Sequence, residues 1–190
     1  MRSGGRDSRS VGPVAGRAPL HQPDSSPKVL VLGLGNILLR DEGVGVHAVN
    51  TLARSHRLPE GVAVLDGGTS GMDLLDAVAS CERLIVCDAI RSDEPPGSAF
   101  CIDGDEIAAF FATRISPHQI GLSEVLANLE LLGERPEHIT LVGIVPADLS
   151  LGTELSAAGR RGLARGVDLI LAEIGDPAAA TGEAVAGRCA

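Results

Sequence analysis

The stretch Lys28–Leu34 (KVLVLGL) constrains the fold more than any other part of this chain. Its apolar residues run on instead of alternating, which marks a strand covered on both faces, and such strands belong to parallel sheets flanked by helices. The same signature returns at Gly61–Leu65 (GVAVL), Arg83–Cys87 (RLIVC) and His138–Val145 (HITLVGIV). Between these runs lie segments with helical spacing. They predict helices over 41–54, burying Val46, Val49, Leu52 and Ala53, and over 72–80, with a final helix over 155–174. A further helix opens at Ser116-Pro117-His118-Gln119, where Ser116 suits the N-cap, Pro117 the first helical position and Gln119 a capping box. Leu122, Val125, Leu126, Leu129 and Leu132 then form its apolar stripe. A strand at 98–102 follows Asp93-Glu94-Pro95-Pro96-Gly97, a link too short for a helical crossover, so it is expected to run antiparallel at an edge. The expected architecture is an α/β three-layer sandwich, with a mostly parallel, twisted five-stranded sheet between helices.

Domain limits come from composition. Residues 1–27 are rich in Gly, Ser, Arg and Pro without periodicity and read as a flexible leader. Residues 28–174 form one α/β domain, and the Ala/Gly-rich stretch 175–190 reads as a flexible tail. The leader carries a net +2 while the whole chain carries −9, so the body is strongly acidic. An acidic body without Trp or Tyr, and with only 3 Phe, argues against nucleic acid as a partner, because phosphates demand a basic face and bases demand stacking platforms. No apolar run reaches the ~20 residues of a membrane span. The start of the chain has neither a secretory apolar stretch nor an Arg-Arg pair, so the expected address is the cytoplasm. Cys81, Cys87, Cys101 and Cys189 lack C-x-x-C spacing and read as small apolar side chains.

Parallel α/β sheets bind ligands at the carboxyl ends of their strands. Those ends carry Asp41-Glu42, Asp66 and Asp88, and His118 opens the helix that follows the fourth strand. Gly33-x-Gly35 begins a dinucleotide fingerprint but Leu38 holds the third glycine position, and neither a Walker A run nor a G-x-S-x-G elbow is present. Glu42 reads as a first-turn helix acid as readily as a functional group, and Asp66 before two glycines reads as turn chemistry. Asp88 ends an apolar strand, where a carboxylate must be solvated, paired or metal-bound. His118 lies at the positive end of a helix, which favours a neutral ring able to ligate metal or accept a proton, or simply to pack against its loop. Two carboxylates and an imidazole can hold a divalent first-row metal. The residues alone thus point to a metal-assisted hydrolase or a metal-binding protein.

Five segments, in order, resemble the hydrogenase maturation endopeptidases: Val31–Val46 (VLGLGNILLRDEGVGV), Leu65–Met72 (LDGGTSGM), Cys87–Ile90 (CDAI), Ser116–Leu122 (SPHQIGL) and Val142–Pro146 (VGIVP). The resemblance covers about Lys28 to Ile174; residues 1–27 have no counterpart in it, and Ala147–Gly152 match only loosely. It implies a peptide-bond hydrolase, of the aspartic-type grouping, whose partner is the [NiFe]-hydrogenase large-subunit precursor; a monomer is expected, though not on the ground of the resemblance. It implies removal of that precursor's C-terminal extension after nickel insertion. The family's metal ligands fall on Glu42, Asp88 and His118, and its D-G-G acid on Asp66, the expected general base. Nickel would arrive with the substrate, with no permanent organic cofactor. A non-catalytic nickel chaperone and a general metallopeptidase with a resident metal are the competing expectations.

Overall fold

The computed structural model describes residues 27–55, 58–104, 106–107 and 117–175, with the side chains of Ser55 and of residues 117–119 outside the description. The expected leader, the tail beyond Gly175, Cys189 and the Ser116 cap lie outside the described residues.

Strands β1 (Val29–Leu34), β2 (Val62–Gly68), β3 (Arg83–Ala89), β4 (Ala99–Asp103) and β5 (His138–Ile144) form one sheet in the order β2-β1-β3-β5-β4. The pairs β1–β2, β1–β3 and β3–β5 are parallel, and β4 lies antiparallel on β5 at the edge, as the short Pro-Gly link requires. Helices α1 (Val44–Ser55), α2 (Leu75–Ala79), α3 (Pro117–Leu132) and α4 (Ala157–Gly175) cover both faces.

Alternation along each strand divides the core in two. Leu30, Leu32 and Leu34 of β1, Leu84 and Val86 of β3, and Ile139 and Leu141 of β5 pack against α2 and α3. Val31, Val62, Val64, Ile85, Cys87, Val142 and Ile144 pack against α1 and α4. Both faces of the parallel strands are therefore apolar, which is why the sequence shows continuous runs. At the amino end of β3, buried Arg83 donates to the Glu173 carbonyl at 2.7 Å and pairs with the Glu173 carboxylate, pinning the end of α4. Cys81 and Cys87 are buried, and burial pushes the Cys81 thiol up to about 12, so it stays protonated.

Several boundaries differ from the sequence reading. The first helix begins with a separate 3-10 turn, Arg40–Gly43, and the second with Met72–Leu74. Strand β2 continues through Asp66 to Gly68, so Asp66 is a strand residue and not part of a turn. Its neighbour β1 supplies the reason: Gly33 pairs with Asp66 and Leu34 with Gly68 across a bulge, extending the ladder past the glycines. Finally, Leu132 lies at the exposed end of α3 and contributes nothing to the stripe's burial. No helix among the described residues is long and apolar enough to cross a membrane.

Candidate active site at the carboxyl ends of the strands

The chain leaves β1 through a compact turn that folds back over the sheet. Gly35 has φ +127° and donates its amide to the Gly68 carbonyl at 2.8 Å. A Cβ on Gly35 would collide with the Glu42 carbonyl, and one on Gly43 would lie 2.7 Å from the Cα of Ile37. Only glycines let the backbone double back this closely. The turn packs against β3, and α1 then starts directly on the sheet, because a Cβ at Gly45 would overlap the carbonyls of Cys87 and Leu34. Glu42, half-buried in the turn, is thereby brought to the end of β3 where Asp88 lies.

Asp88 is fully buried. Its Oδ1 accepts the Ala89 amide at 2.7 Å. By strand alternation it follows Leu84 and Val86 onto the α3 side of the sheet. The first turn of α3 reaches that same end: Gly121 sits against Gly71, the Cβ it lacks falling 3.0 Å from the Gly71 Cα, and Leu122 is buried among Val86 and Ile90. His118 is the second residue of that helix, in the first turn as its sequence predicts; its side chain lies outside the described residues. Among the described residues no three His, Cys, Asp or Glu side chains form a metal-binding group. Backbone placement thus brings Glu42, Asp88 and the His118 turn to one end of the sheet, with the third side chain of the trio undescribed.

Asp66 stands apart. It is level with Gly33, and Gly33 is level with Cys87, so Asp66 lies two strand spacings, roughly 10 Å, from β3. Its alternation follows Val62 and Val64 onto the α1 side. There it meets the influence of His47, a half-buried ring on α1 whose Nε2 is enclosed without a hydrogen-bond partner among the described residues. Burial lowers the His47 pKa most, the Arg54 charge lowers it further, and the Asp66 charge opposes both. His47 had no role in the sequence reading.

A second residue went unread. Asp41, the neighbour of Glu42, is fully buried with both oxygens occupied. Oδ1 accepts the Ser156 amide at 2.7 Å. Oδ2 accepts the amides of Ala147 at 2.9 Å and Asp148 at 3.1 Å, and the Ser156 hydroxyl at 2.7 Å. Burial alone would raise its pKa; these four hydrogen bonds outweigh burial and hold it below the ordinary value. Ser156 meanwhile caps α4, its Oγ accepting the Gly159 amide at 2.9 Å. The sequence offered no sign of this, because its partners lie more than a hundred residues away.

Fold and rim together define an open α/β protein with an oxygen-rich site at the carboxyl ends of its parallel strands. The chain belongs to the hydrogenase maturation protease family, whose HycI description matches residues 46–173. That span takes in Asp66, Asp88 and His118 and begins four residues after Glu42. The chain is 47% identical over 123 residues to the hydrogenase 2 maturation protease of Escherichia coli (strain K12), covering 64% of this chain and 75% of that one. It is 44% identical over 128 residues to the hydrogenase expression/formation protein HupD of Rhizobium leguminosarum bv. viciae, covering 67% of this chain and 63% of HupD. The solved hydrogenase maturating endopeptidase HybD from E. coli superposes with a TM-score of 0.74 at 40% identity, covering 77% of this chain and 91% of that one. The protein is therefore a hydrolase of hydrogenase maturation.

Proposed function

We propose that this protein cleaves the C-terminal extension from a [NiFe]-hydrogenase large-subunit precursor once nickel is in place, in the cytoplasm and as a monomer. Glu42, Asp88 and His118 contact nickel that the precursor already holds through its own thiolates. The observation that supports this reading is that the Glu42 turn, the Asp88 end of β3 and the first turn of α3 all lie at one end of the sheet. An open, oxygen-rich donor set binds a free late first-row ion modestly, yet completes the shell of a partly coordinated one. The ion supplies the recognition handle, and its capture places the scissile bond beside the rim, removing much of the entropic part of the barrier.

Asp66 is the proposed general base, in keeping with an aspartic-type grouping. Its place on the α1 side means that it acts only on a peptide lying across the end of β1. The design makes nickel insertion a checkpoint, since an empty precursor offers the trio nothing to hold.

The test is cleavage of nickel-loaded and nickel-free precursor by the purified protein, read by mass spectrometry of the precursor's C-terminus. Loss of the extension from the loaded form alone is expected, and His118→Ala abolishes it. Equal cleavage of both forms removes the checkpoint. An intact extension in every case would make the protein a nickel chaperone. Stoichiometric metal in the purified protein, with cleavage of unrelated peptides, would make it a general metallopeptidase.

A further inference from the structure

We infer that Asp41 is a positioning residue for the site, fixing Glu42 by locking its turn onto the loop between β5 and α4. The inference rests on the reading of Glu42 as a nickel-contacting group. Adjacent acids in an Asp-Glu pair look interchangeable in sequence, but the structure gives them opposite surroundings. Both oxygens of Asp41 accept from inward N–H or O–H donors and the side chain is fully buried, so it is turned to the protein and away from the rim. Glu42 is the member of the pair that remains partly open.

The lock has a backbone half and a side-chain half. In the backbone half, Gly152 donates to the Leu38 carbonyl at 2.9 Å, Arg40 to the Gly152 carbonyl at 2.9 Å and Asp41 to the Asp148 carbonyl at 3.1 Å. These bonds make a short parallel bridge between Leu39 and Gly152. Arg40 adopts φ +47° to enter the turn, an unfavourable state for a non-glycine residue that persists only when its surroundings impose it. Its guanidinium lies 3.4 Å from the Asp148 carboxylate. The side-chain half is the Asp41 carboxylate, which gathers Ala147, Asp148 and Ser156 and so ties the start of α4 to the same turn. Gly159 leaves the space for it, since a Cβ there would collide with Asp41 Oδ1. On the opposite side the turn is held by the close approach of Gly43 to Ile37. Glu42 thus sits one bond from a fully committed anchor, and its position depends on the order of the 147–156 loop.

Replacing Asp41 by Asn puts an amide donor where one of the four donors already points, whichever way the carboxamide turns. Supporting groups of this kind commonly change metal affinity by about 10- to 100-fold when removed. The experiment uses the full chain and four single variants, Asp41→Asn, Ser156→Ala, Glu42→Gln and Leu30→Ala, with the double variant Asp41→Asn/Glu42→Gln. Leu30→Ala destabilises the core at the amino end of β1, far from the rim. Each is studied below its own Tm. Ni2+ alone is titrated in competition with a chromogenic chelator, and kcat and KM are measured on nickel-loaded precursor.

Asp41→Asn is expected to weaken Ni2+ binding by about tenfold or more and to shift kcat and KM in the same proportion as Glu42→Gln. The double variant should bind no more weakly than Glu42→Gln alone, because the two residues act through one contact. Ser156→Ala, which removes one of the four bonds, should give a smaller loss, and it carries the test if Asp41→Asn does not fold. Leu30→Ala should lose thermal stability and keep its Ni2+ affinity. Wild-type Ni2+ affinity in folded Asp41→Asn, or in Ser156→Ala where that stands in for it, overturns the proposal while leaving Glu42 in place. So do additive losses in the double variant. Wild-type binding and processing by Glu42→Gln would instead remove Glu42 from the site, and the positioning role with it.

Discussion

At the scale of single residues, the site is built on absent side chains as much as on present ones. Gly45 lets α1 rest on the backbone of β1 and β3, and its missing Cβ would overlap the carbonyls of Cys87 and Leu34. Backbone atoms cannot step aside as a flexible side chain can. Gly45→Ala should therefore cost about 3 kcal/mol, at the upper end of ordinary overpacking. A fall of that size in urea-unfolding stability checks it; a change under ~0.5 kcal/mol, the surface range, would show that α1 is free to lift. The glycines were visible in the sequence as turn formers. Their role as contact surfaces was not, since it depends on which backbone lies opposite.

At the scale of elements, periodicity identified the strands and the helical segments but misplaced their ends. Asp66 read as a turn residue because Asp before two glycines is strong local turn chemistry. Pairing with β1 overrode it, carrying β2 on to Gly68. The stripe of α3 shows a similar limit. Leu129 is 0% exposed and Leu132 61% exposed, although both fit the helical spacing. Leu129→Ala should cost about 2–5 kcal/mol, by the loss of a buried leucine and the cavity it leaves. Leu132→Ala should stay within about 0.5 kcal/mol. Chemical denaturation of the two variants side by side checks the pair, and equal losses would mean that the end of α3 is covered in solution.

At the scale of the whole molecule, two titrating groups give stability a direction in pH. His47 is held below its ordinary value of 6.5, first by burial and then by Arg54, against the pull of Asp66. The unfolded chain therefore takes up a proton near pH 6.5 while the folded protein does not, and stability falls as pH drops from there toward the folded value. Asp41 is also held below its ordinary value, of 3.8, so its contribution is complete above that pH and is lost only as pH falls through the lower folded value. Acid unfolding should accordingly proceed in two stages. His47→Gln should flatten the first, making urea midpoints at pH 5.5 and 7.5 nearly equal while leaving the second stage unchanged. An undiminished slope between those two pH values would assign the first stage to other groups.

Local chemistry determined a large part of this protein in advance. Continuous apolar runs required a sheet covered on both faces, the five-residue Pro-Gly link required an antiparallel edge strand, and Pro117 marked where α3 begins. Glu42, Asp88 and His118 are each legible as candidates from their places at the ends of elements, but only the ordered motifs join them as a trio. What they could not reveal was company. Whether Asp66 shares a face with Asp88 depends on strand order and pleat, and the sheet places the two on opposite sides. That Asp41 ties the 40–43 turn to the loop before α4 depends on Ala147, Asp148 and Ser156, which come near it only after five strands have been laid side by side. Sequence records what each residue prefers of its neighbours along the chain; the donors and backbones that meet it across the fold are supplied by tertiary packing alone.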